Sequence, residues 1–289
     1  MREFLVETRG ATLAVRESRP DGEPLLLLHG GPGVPDSMQT DVAPLLPELR
    51  GISFDQRGVG RSRCRDGRYG IESYLADIEA IREHLGISDW HVLGHSWGGL
   101  LAQLYAAEHG PRVRSLALIS SSLGVGADWT ETKRQSFRIE RRRAGAWGTL
   151  RLSLYFPLIL PPSPIRRWAL GHVMTEVWHD YFLNPCTAPD PDRQWLAGCS
   201  PEALLRTDRA LSRADPGVLA ALSVYAGPVL VLFGEDDIFG ESEAIVRRRF
   251  PGATQVTLES SGHLHWLQNQ VGYQEALRSF YATHCSAMA

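Results

Sequence analysis

Cysteine is scarce in this chain of 289 residues, and its placement follows no metal-ligand or disulfide pattern. The four cysteines contain no CxxC pair and are scattered as Cys64, Cys186, Cys199 and Cys285. We therefore expect free thiols in a reducing compartment, without a zinc site or a disulfide framework. A chain of this length buries roughly three quarters of its unfolded surface, so its core needs no such cross-links.

A surplus of positive charge and a long apolar run are also missing. The net charge is −3, and all basic residues except Lys133 are arginines that form no single basic arm, which argues against a nucleic-acid partner. The most apolar segment outside the predicted strands, residues 150–160, contains Arg151 and Pro157 and is too short to span a bilayer. We expect no membrane partner. The first ten residues lack the apolar stretch of a secretory signal, so a cytoplasmic location is the expectation.

Cofactor-binding motifs are absent from the sequence. Gly58 and Gly60 do not complete a G-x-G-x-x-G motif and lie in a predicted loop, and no P-loop is present. We therefore expect neither a cofactor nor a metal ion.

Short apolar runs alternate with segments of helical spacing along most of the chain. The apolar runs predict strands at residues 24–29, 52–54, 90–93, 113–119, 228–233 and 255–258. Helical spacing occurs at residues 71–85, 100–109, 242–250 and 273–281. Near-continuous apolar strands between helices predict an α/β fold with a mostly parallel sheet covered on both faces. Residues 4–8 and 12–16 alternate with period two, which predicts an antiparallel hairpin at one edge.

The alternation stops between residues 123 and 223. This stretch is rich in aromatic residues at helical spacing and contains several prolines. It predicts a helical cap domain at 123–223, inserted between the sixth and seventh predicted strands. The core domain then comprises residues 1–122 and 224–289.

The strongest chemical signal is the G-x-S-x-G motif at residues 94–98. It follows a predicted strand and precedes a predicted helix, which is the context of a nucleophile elbow. Ser96 is the predicted nucleophile, because the strained turn exposes its Oγ above the sheet, at a helix N-terminus that favours negative charge. A glycine-rich turn with an incidental serine is disfavoured, since motif and context agree. His95 is predicted to be a pocket or turn residue.

A glycine-rich loop with the sequence HGGPG occupies residues 29–33. Glycines let backbone N–H groups approach an oxyanion, and the amides of Gly31 and Trp97 are the expected donor pair. His29 is expected to order this loop. The alternative is a tight turn without a catalytic role.

The acid and the base of a triad are expected after the two last strands, in the chain order Ser, Asp, His. The first of these strands runs into Glu235, Asp236 and Asp237, and each carboxylate competes for the acid role. The second runs into His263, with which His265 competes. A metal site on these histidines is disfavoured, because no HExxH-type ligand set accompanies them.

The motifs at residues 29–33 and 94–99, together with DQRGVGRS at 55–62, resemble α/β-hydrolase fold enzymes of the proline iminopeptidase-like group. The similarity of organisation covers nearly the whole chain, with residues 123–223 matching the helical cap of that group. The resemblance implies that Asp237, three residues after a turn glycine, is the acid and that His263 is the base. It implies a mainly structural role for the loop at 55–62.

Two features depart from this group. Iminopeptidases usually carry a Trp-Glu element in the cap, where the carboxylate binds the free amine, but here Trp178 is followed by His179 and Asp180. The segment after His263 also lacks the usual acidic-Pro continuation. The fold and the triad follow from the resemblance, whereas aminopeptidase activity does not.

The sequence therefore predicts a serine hydrolase that acts on an ester, amide or peptide of small size through an acyl-enzyme. The many apolar and aromatic side chains of the predicted cap favour a bulky apolar substrate. The residues expected to line its pocket are His29, His95, Trp178, Asp180, Tyr155 and Phe156. The alternatives are a cyclase, thioesterase or lyase on the same triad, and a ligand-binding protein with residual hydrolysis.

Overall fold

The computed structural model describes residues 1–285, without the side chains of residues 223 and 224. The described strands are β1 Arg2–Thr8, β2 Ala11–Glu17, β3 Pro24–Leu28, β4 Arg50–Phe54, β5 Arg63–Cys64, β6 Trp90–His95, β7 Val113–Ile119, β8 Val229–Gly234 and β9 Thr254–Leu258. The described α-helices are α1 Met38–Asp41, α2 Ile71–His84, α3 Trp97–His109, α4 Ala127–Ile159, α5 Arg166–Asp180, α6 Arg193–Gly198, α7 Pro201–Arg213, α8 Gly240–Arg249, α9 His265–Gln268 and α10 Gln270–His284.

The strands form one sheet in the order β1-β2-β4-β3-β6-β7-β8-β9, and β5 pairs with β2. The pairs from β4 to β9 are parallel. The hairpin of β1 and β2 is antiparallel and forms one edge. The structure thus confirms the predicted α/β class and its hairpin. The two-residue strand β5 was not predicted. Because it is counted here, the sixth and seventh predicted strands correspond to β7 and β8.

Successive side chains of the buried strands point alternately into two hydrophobic layers. In β3, Leu26 and Leu28 pack with helices α2 and α3 on one face, whereas Leu25 and Leu27 pack on the other face, which α10 covers. A strand projects successive side chains to opposite faces, so both faces of β3 are apolar because both are covered by helices. This explains the unbroken leucine run.

The segment between β7 and β8 is helical and has a small core of its own. Leu152, Leu170, Val173 and neighbouring side chains form this core, which reaches the sheet domain at Val34. Helix α4 is interrupted at Gly145, whose φ of 64° is left-handed. A glycine accepts this conformation without steric cost, so α4 bends there. None of the helices in the described part of the chain is long and apolar enough to cross a membrane.

The parallel strands place their carboxyl ends along one edge of the sheet. The loops that leave β3, β6, β7, β8 and β9 therefore meet there, although they are far apart in sequence. In open α/β sheets this edge is where ligands bind. All three predicted triad residues lie on these loops.

Candidate active site

Ser96 sits on a strained turn between β6 and α3. Its backbone has φ 58° and ψ −119°, a region that non-glycine residues rarely adopt. The flanking glycines allow the turn: a Cβ on Gly94 would lie 2.2 Å from the carbonyl oxygen of Gly98, and one on Gly98 would lie 2.1 Å from that of Leu28. The spacing of the motif is therefore a steric requirement, and it places Ser96 at the cleft.

His263 and Asp237 form a buried hydrogen-bonded pair beside this turn. Nδ1 of His263 lies 2.9 Å from Oδ1 of Asp237, and both side chains are almost fully buried. Burial raises the pKa of Asp237, but the charge and hydrogen bond of His263 outweigh this effect and hold the pKa below its ordinary value. Nε2 of His263 is buried and has no hydrogen-bond partner in the described structure. The imidazole is thus oriented through one nitrogen and free at the other.

A second buried series of hydrogen bonds holds Oδ2, the other carboxylate oxygen of Asp237. The sequence did not predict these bonds. The hydroxyl of Ser120 donates to Oδ2 of Asp237, and Nε2 of His265 lies 2.7 Å from the same hydroxyl oxygen. Nδ1 of His265 lies 2.8 Å from Oγ of Ser261. Burial lowers the pKa of His265 to about 4, so this ring is neutral and donates through Nε2. The structure therefore separates the two competing histidines: His263 lines the cleft, whereas His265 holds the serine that donates to Asp237.

The only sequence signal for Ser120 is its position directly after β7. Its φ of 47° lies in the left-handed region, which turns its hydroxyl toward Asp237. Such a conformation cannot be read from a serine in the sequence.

His29 orders the glycine loop through both ring nitrogens. Nδ1 donates to the carbonyl of Gly30 at 2.9 Å, and Nε2 accepts from the backbone N–H of Gln56 at 3.2 Å. Burial lowers the pKa of His29 to about 4, which keeps the ring neutral with one donor and one acceptor. Gln56 also accepts from the indole of Trp97 at 2.8 Å. The loop at 55–62 thereby ties the glycine loop to the start of α3.

Gly30 is needed where this loop approaches the serine. A Cβ at Gly30 would lie 3.0 Å from Cβ of Ser96 and 2.8 Å from Nδ1 of His95. A larger residue would push the loop, with the following Gly31, away from Ser96.

The cleft beside Ser96, counted together with the solvent at its open mouth, has an empty volume of about 490 Å³ and mostly apolar walls. Of the predicted pocket residues, His29, His95 and Trp178 line it. His95 does so as a neutral ring, because burial lowers its pKa well below the ordinary value, and its Nε2 donates to the carbonyl of His263 at 2.9 Å. The lining residues not predicted include Met38, Met174, Tyr181, Trp195, Leu264 and Trp266.

Three predicted pocket residues do not line this cleft. Tyr155 stacks on His172 within the cap, with ring centroids 4.6 Å apart, and Phe156 is 48% exposed on the protein surface. Asp180 is buried behind the cleft. Aromatic composition does not tell which face of a cap helix points toward the sheet, so the sequence could not place Tyr155 and Phe156 relative to this cleft.

Tyr181, directly after Asp180, connects the cap to the base. Its carbonyl accepts the backbone N–H of His263 at 2.8 Å, and its ring lies 4.8 Å from the imidazole between centroids. The end of α5 therefore helps to position His263.

Two carboxyl groups of the cap interact electrostatically, that of the buried Asp180 and that of the half-buried Glu140. Burial raises the pKa of Asp180 to about 7, and burial together with the Asp180 charge raises the pKa of Glu140 to about 7. Oδ2 of Asp180 has no hydrogen-bond partner in the described structure. Arg143 donates to the backbone carbonyl of Asp180 and pairs with the carboxylate of Asp236. A positive group placed between the two acids would lower their mutual repulsion.

The sheet, its serine turn and the loops at its carboxyl edge define an α/β hydrolase. The sequence matches the family described as alpha/beta hydrolase fold over residues 23–139. It is 36% identical over 274 residues to the proline iminopeptidase of Lactobacillus delbrueckii subsp. lactis, covering 89% of each chain. The chain belongs to the α/β-hydrolase fold family and, within it, to the proline iminopeptidase-like group, which confirms the resemblance drawn from the motifs.

Solved structures share the fold at low sequence identity. The crystal structure of proline iminopeptidase from Mycobacterium smegmatis superimposes with a TM-score of 0.69 at 20% identity and covers 98% of both chains. A thermophilic esterase from Thermogutta terrifontis superimposes with a TM-score of 0.70 at 21% identity, covering 99% of this chain and 100% of that one. Peptidases and esterases thus share this architecture, and the fold alone does not choose between them.

Proposed function

We propose that this hydrolase works through an acyl-enzyme on Ser96, with His263 as the base and Asp237 as the acid. The observation that carries the proposal is the buried imidazole of His263. Asp237 holds its Nδ1, and its Nε2 has no hydrogen-bond partner among the described residues, while both His263 and Ser96 line one cleft. This arrangement supports a Ser-His-Asp triad whose serine–histidine hydrogen bond tightens when substrate binds.

The geometry translates into a two-step reaction. Asp237 accepts a hydrogen bond from the Nδ1–H of His263, so the Nε2 lone pair is available to take the Ser96 proton as Oγ attacks the substrate carbonyl. The amides of Gly31 and Trp97 are the proposed donors to the oxyanion. The protonated His263 then gives its proton to the leaving group, and water hydrolyses the acyl-enzyme by the same route.

A fluorophosphonate probe tests the nucleophile directly. We expect the wild-type chain to be labelled at Ser96 and the Ser96→Ala variant not to be labelled. Ser37, which also lines the cleft, provides a matched control, because the Ser37→Ala variant should still react. Labelling of a folded Ser96→Ala variant at the wild-type rate would place the nucleophile elsewhere.

For the substrate, the cleft walls favour a bulky apolar or aromatic acyl part. Trp178, Trp195 and Trp266 line the cleft together with Met174 and Leu264. Such walls stabilise a bound substrate by removing its apolar surface from water, and they offer few polar groups for orienting it. We propose esters or amides of small size with such an acyl part as substrates.

Aminopeptidase action on a free N-terminal residue is the second candidate. The coupled pair of Glu140 and Asp180 favours it, because two carboxyl groups that interact with each other and with Tyr181 are suited to an ammonium group. The proline iminopeptidase names of relatives point the same way.

A substrate panel separates the two candidates. We expect aromatic and medium-chain acyl esters to be turned over with higher kcat/KM than a proline arylamide. A proline arylamide that exceeds them by more than about tenfold, or roughly 1.4 kcal/mol of transition-state preference, would contradict the apolar-acyl proposal.

Variants of the two acids complete this comparison. If an amine binds there, Asp180→Asn and Glu140→Gln should raise KM for the arylamide and leave the esters unaffected. Glu202, which pairs with Arg206 on the surface of α7 at 3.0 Å, provides a matched control in Glu202→Gln. Equal effects of all three variants on both substrate types would argue against an amine site at Asp180.

A further inference from the structure

We propose that Glu23, His91 and Cys285 bind a zinc ion at the end of the sheet opposite the active site. His91 is the second residue of β6, whereas Ser96 follows the other end of that strand. Glu23 directly precedes β3, and Cys285 directly follows α10. The three residues are remote in sequence, which is why cysteine spacing predicted no metal ligand.

The potential ligand atoms are already close to the spacing that zinc requires. Nε2 of His91 lies 3.1 Å from Oε2 of Glu23 and 3.2 Å from Sγ of Cys285, and all three atoms lie within 4.8 Å of one another. Ligand atoms about 2.0–2.3 Å from a tetrahedral zinc ion are roughly 3.3–3.8 Å apart. The two His91 pairs are within a few tenths of an ångström of this spacing. A movement of the Glu23 or Cys285 side chain by up to about 1 Å would bring the third pair to it and admit the ion, with water as the fourth ligand.

The surroundings of His91 favour the tautomer that a metal needs. Nδ1 of His91 lies 2.8 Å from Oγ of Ser115, the residue paired with it on β7. If Nδ1–H donates to this hydroxyl oxygen, the Nε2 lone pair points toward Glu23 and Cys285. Metal-binding histidines commonly donate their other ring N–H in this way.

Charge and access also fit a zinc ion. A thiolate and a carboxylate would balance its two positive charges, and the set of S, N and O ligands is one that zinc accepts. The side chain of His91 is 1% exposed and that of Glu23 is 18% exposed, so an ion can enter on the Glu23 side. Arg114 lies 3.6 Å from Glu23, but it also pairs with Asp89, which remains as its partner.

Such an ion would tie the end of α10 to the sheet. It would join three segments that otherwise meet through hydrogen bonds and hydrophobic packing. Its expected effect is on the stability of the folded chain, and it is independent of the hydrolytic reaction proposed for Ser96.

Cobalt titration of the metal-free full-length chain tests the proposal. We expect one Co²⁺ per chain, with visible bands of a tetrahedral ion and a thiolate-to-cobalt absorption in the near ultraviolet. Zn²⁺ should displace the Co²⁺ and raise the unfolding temperature. Absence of one-to-one binding would overturn the proposal, since the same atoms would then serve only as hydrogen-bonding partners.

Three variants locate the site. Cys285→Ser should abolish the thiolate band and weaken binding by about 10- to 100-fold, and Glu23→Gln, which keeps the thiolate, should weaken binding without abolishing the band. Cys186, exposed in the cap, is the matched control, because Cys186→Ser should bind like the wild type. A thiolate band that survives in Cys285→Ser, or an affinity unchanged in Glu23→Gln, would overturn the assignment. Thermal unfolding of each metal-free variant verifies that it is folded. If Cys285→Ser does not fold, the affinity of Glu23→Gln for Co²⁺ tests the assignment instead.

Discussion

Replacement of Ser96 by alanine should lower kcat by about 10⁶-fold, the loss typical of a triad nucleophile. The expected loss is this large because His263 and Asp237 act only through the serine oxygen. We expect the fold to persist, since the Ser96 side chain makes no capping hydrogen bond to α3. Alanine keeps the Cβ, so it carries the same backbone strain at φ 58° as serine does.

Steady-state kinetics on the best substrate of the panel measures this loss. Thermal unfolding of the same preparation provides the control, and the unfolding temperature should stay within a few degrees of that of the wild type. A folded variant with wild-type kcat would rule out an acyl-enzyme on Ser96.

Asp237→Asn should lower kcat by roughly 10⁴-fold, because an amide that donates to Nδ1 of His263 fixes the wrong tautomer. The proton would then sit on Nε2, which could no longer accept the proton of Ser96. In the wild type, Asp237 remains ionised, since the charge of His263 and its hydrogen bond hold the pKa of the acid below its ordinary value despite burial.

Asp236 is the matched control for this experiment. It is the preceding residue, its side chain is 52% exposed, and it pairs with Arg143 rather than with a histidine. An exposed ion pair of this kind contributes about 0–1 kcal/mol, so Asp236→Asn should leave kcat within a few-fold of the wild type. The reverse ranking of the two variants would show that the acid had been assigned to the wrong residue of the turn.

The α/β fold was predictable because its signals are local. A strand such as β3 must be apolar on both faces when helices cover both faces. The run of leucines at residues 25–28 is the sequence pattern that this requires. The serine turn was predictable for a similar reason, since Gly94 and Gly98 are required by steric contacts within a few ångströms of Ser96. The candidates for the acid and the base could be limited to residues of two short loops, because these loops follow neighbouring strands of one sheet.

Local spacing could not select the groups that surround these residues. Phe156 has the composition of a pocket residue and yet lies on the surface, whereas Trp266 and Tyr181 line the cleft. The support of Asp237 by Ser120 and His265 depends on a left-handed backbone at Ser120 and on the packing of α9, and neither is encoded in a short motif.

The sequence by itself therefore determined the order of most strands and helices, the serine turn and the loops that carry the proposed acid and base, because backbone sterics and side-chain periodicity act over a few residues. Only the tertiary structure decided which of two histidines lines the cleft with Ser96, which cap residues reach the cleft and that Cys285 meets His91 and Glu23. These outcomes depend on contacts between segments up to hundreds of residues apart, whose relative placement is set by the packing of the whole chain.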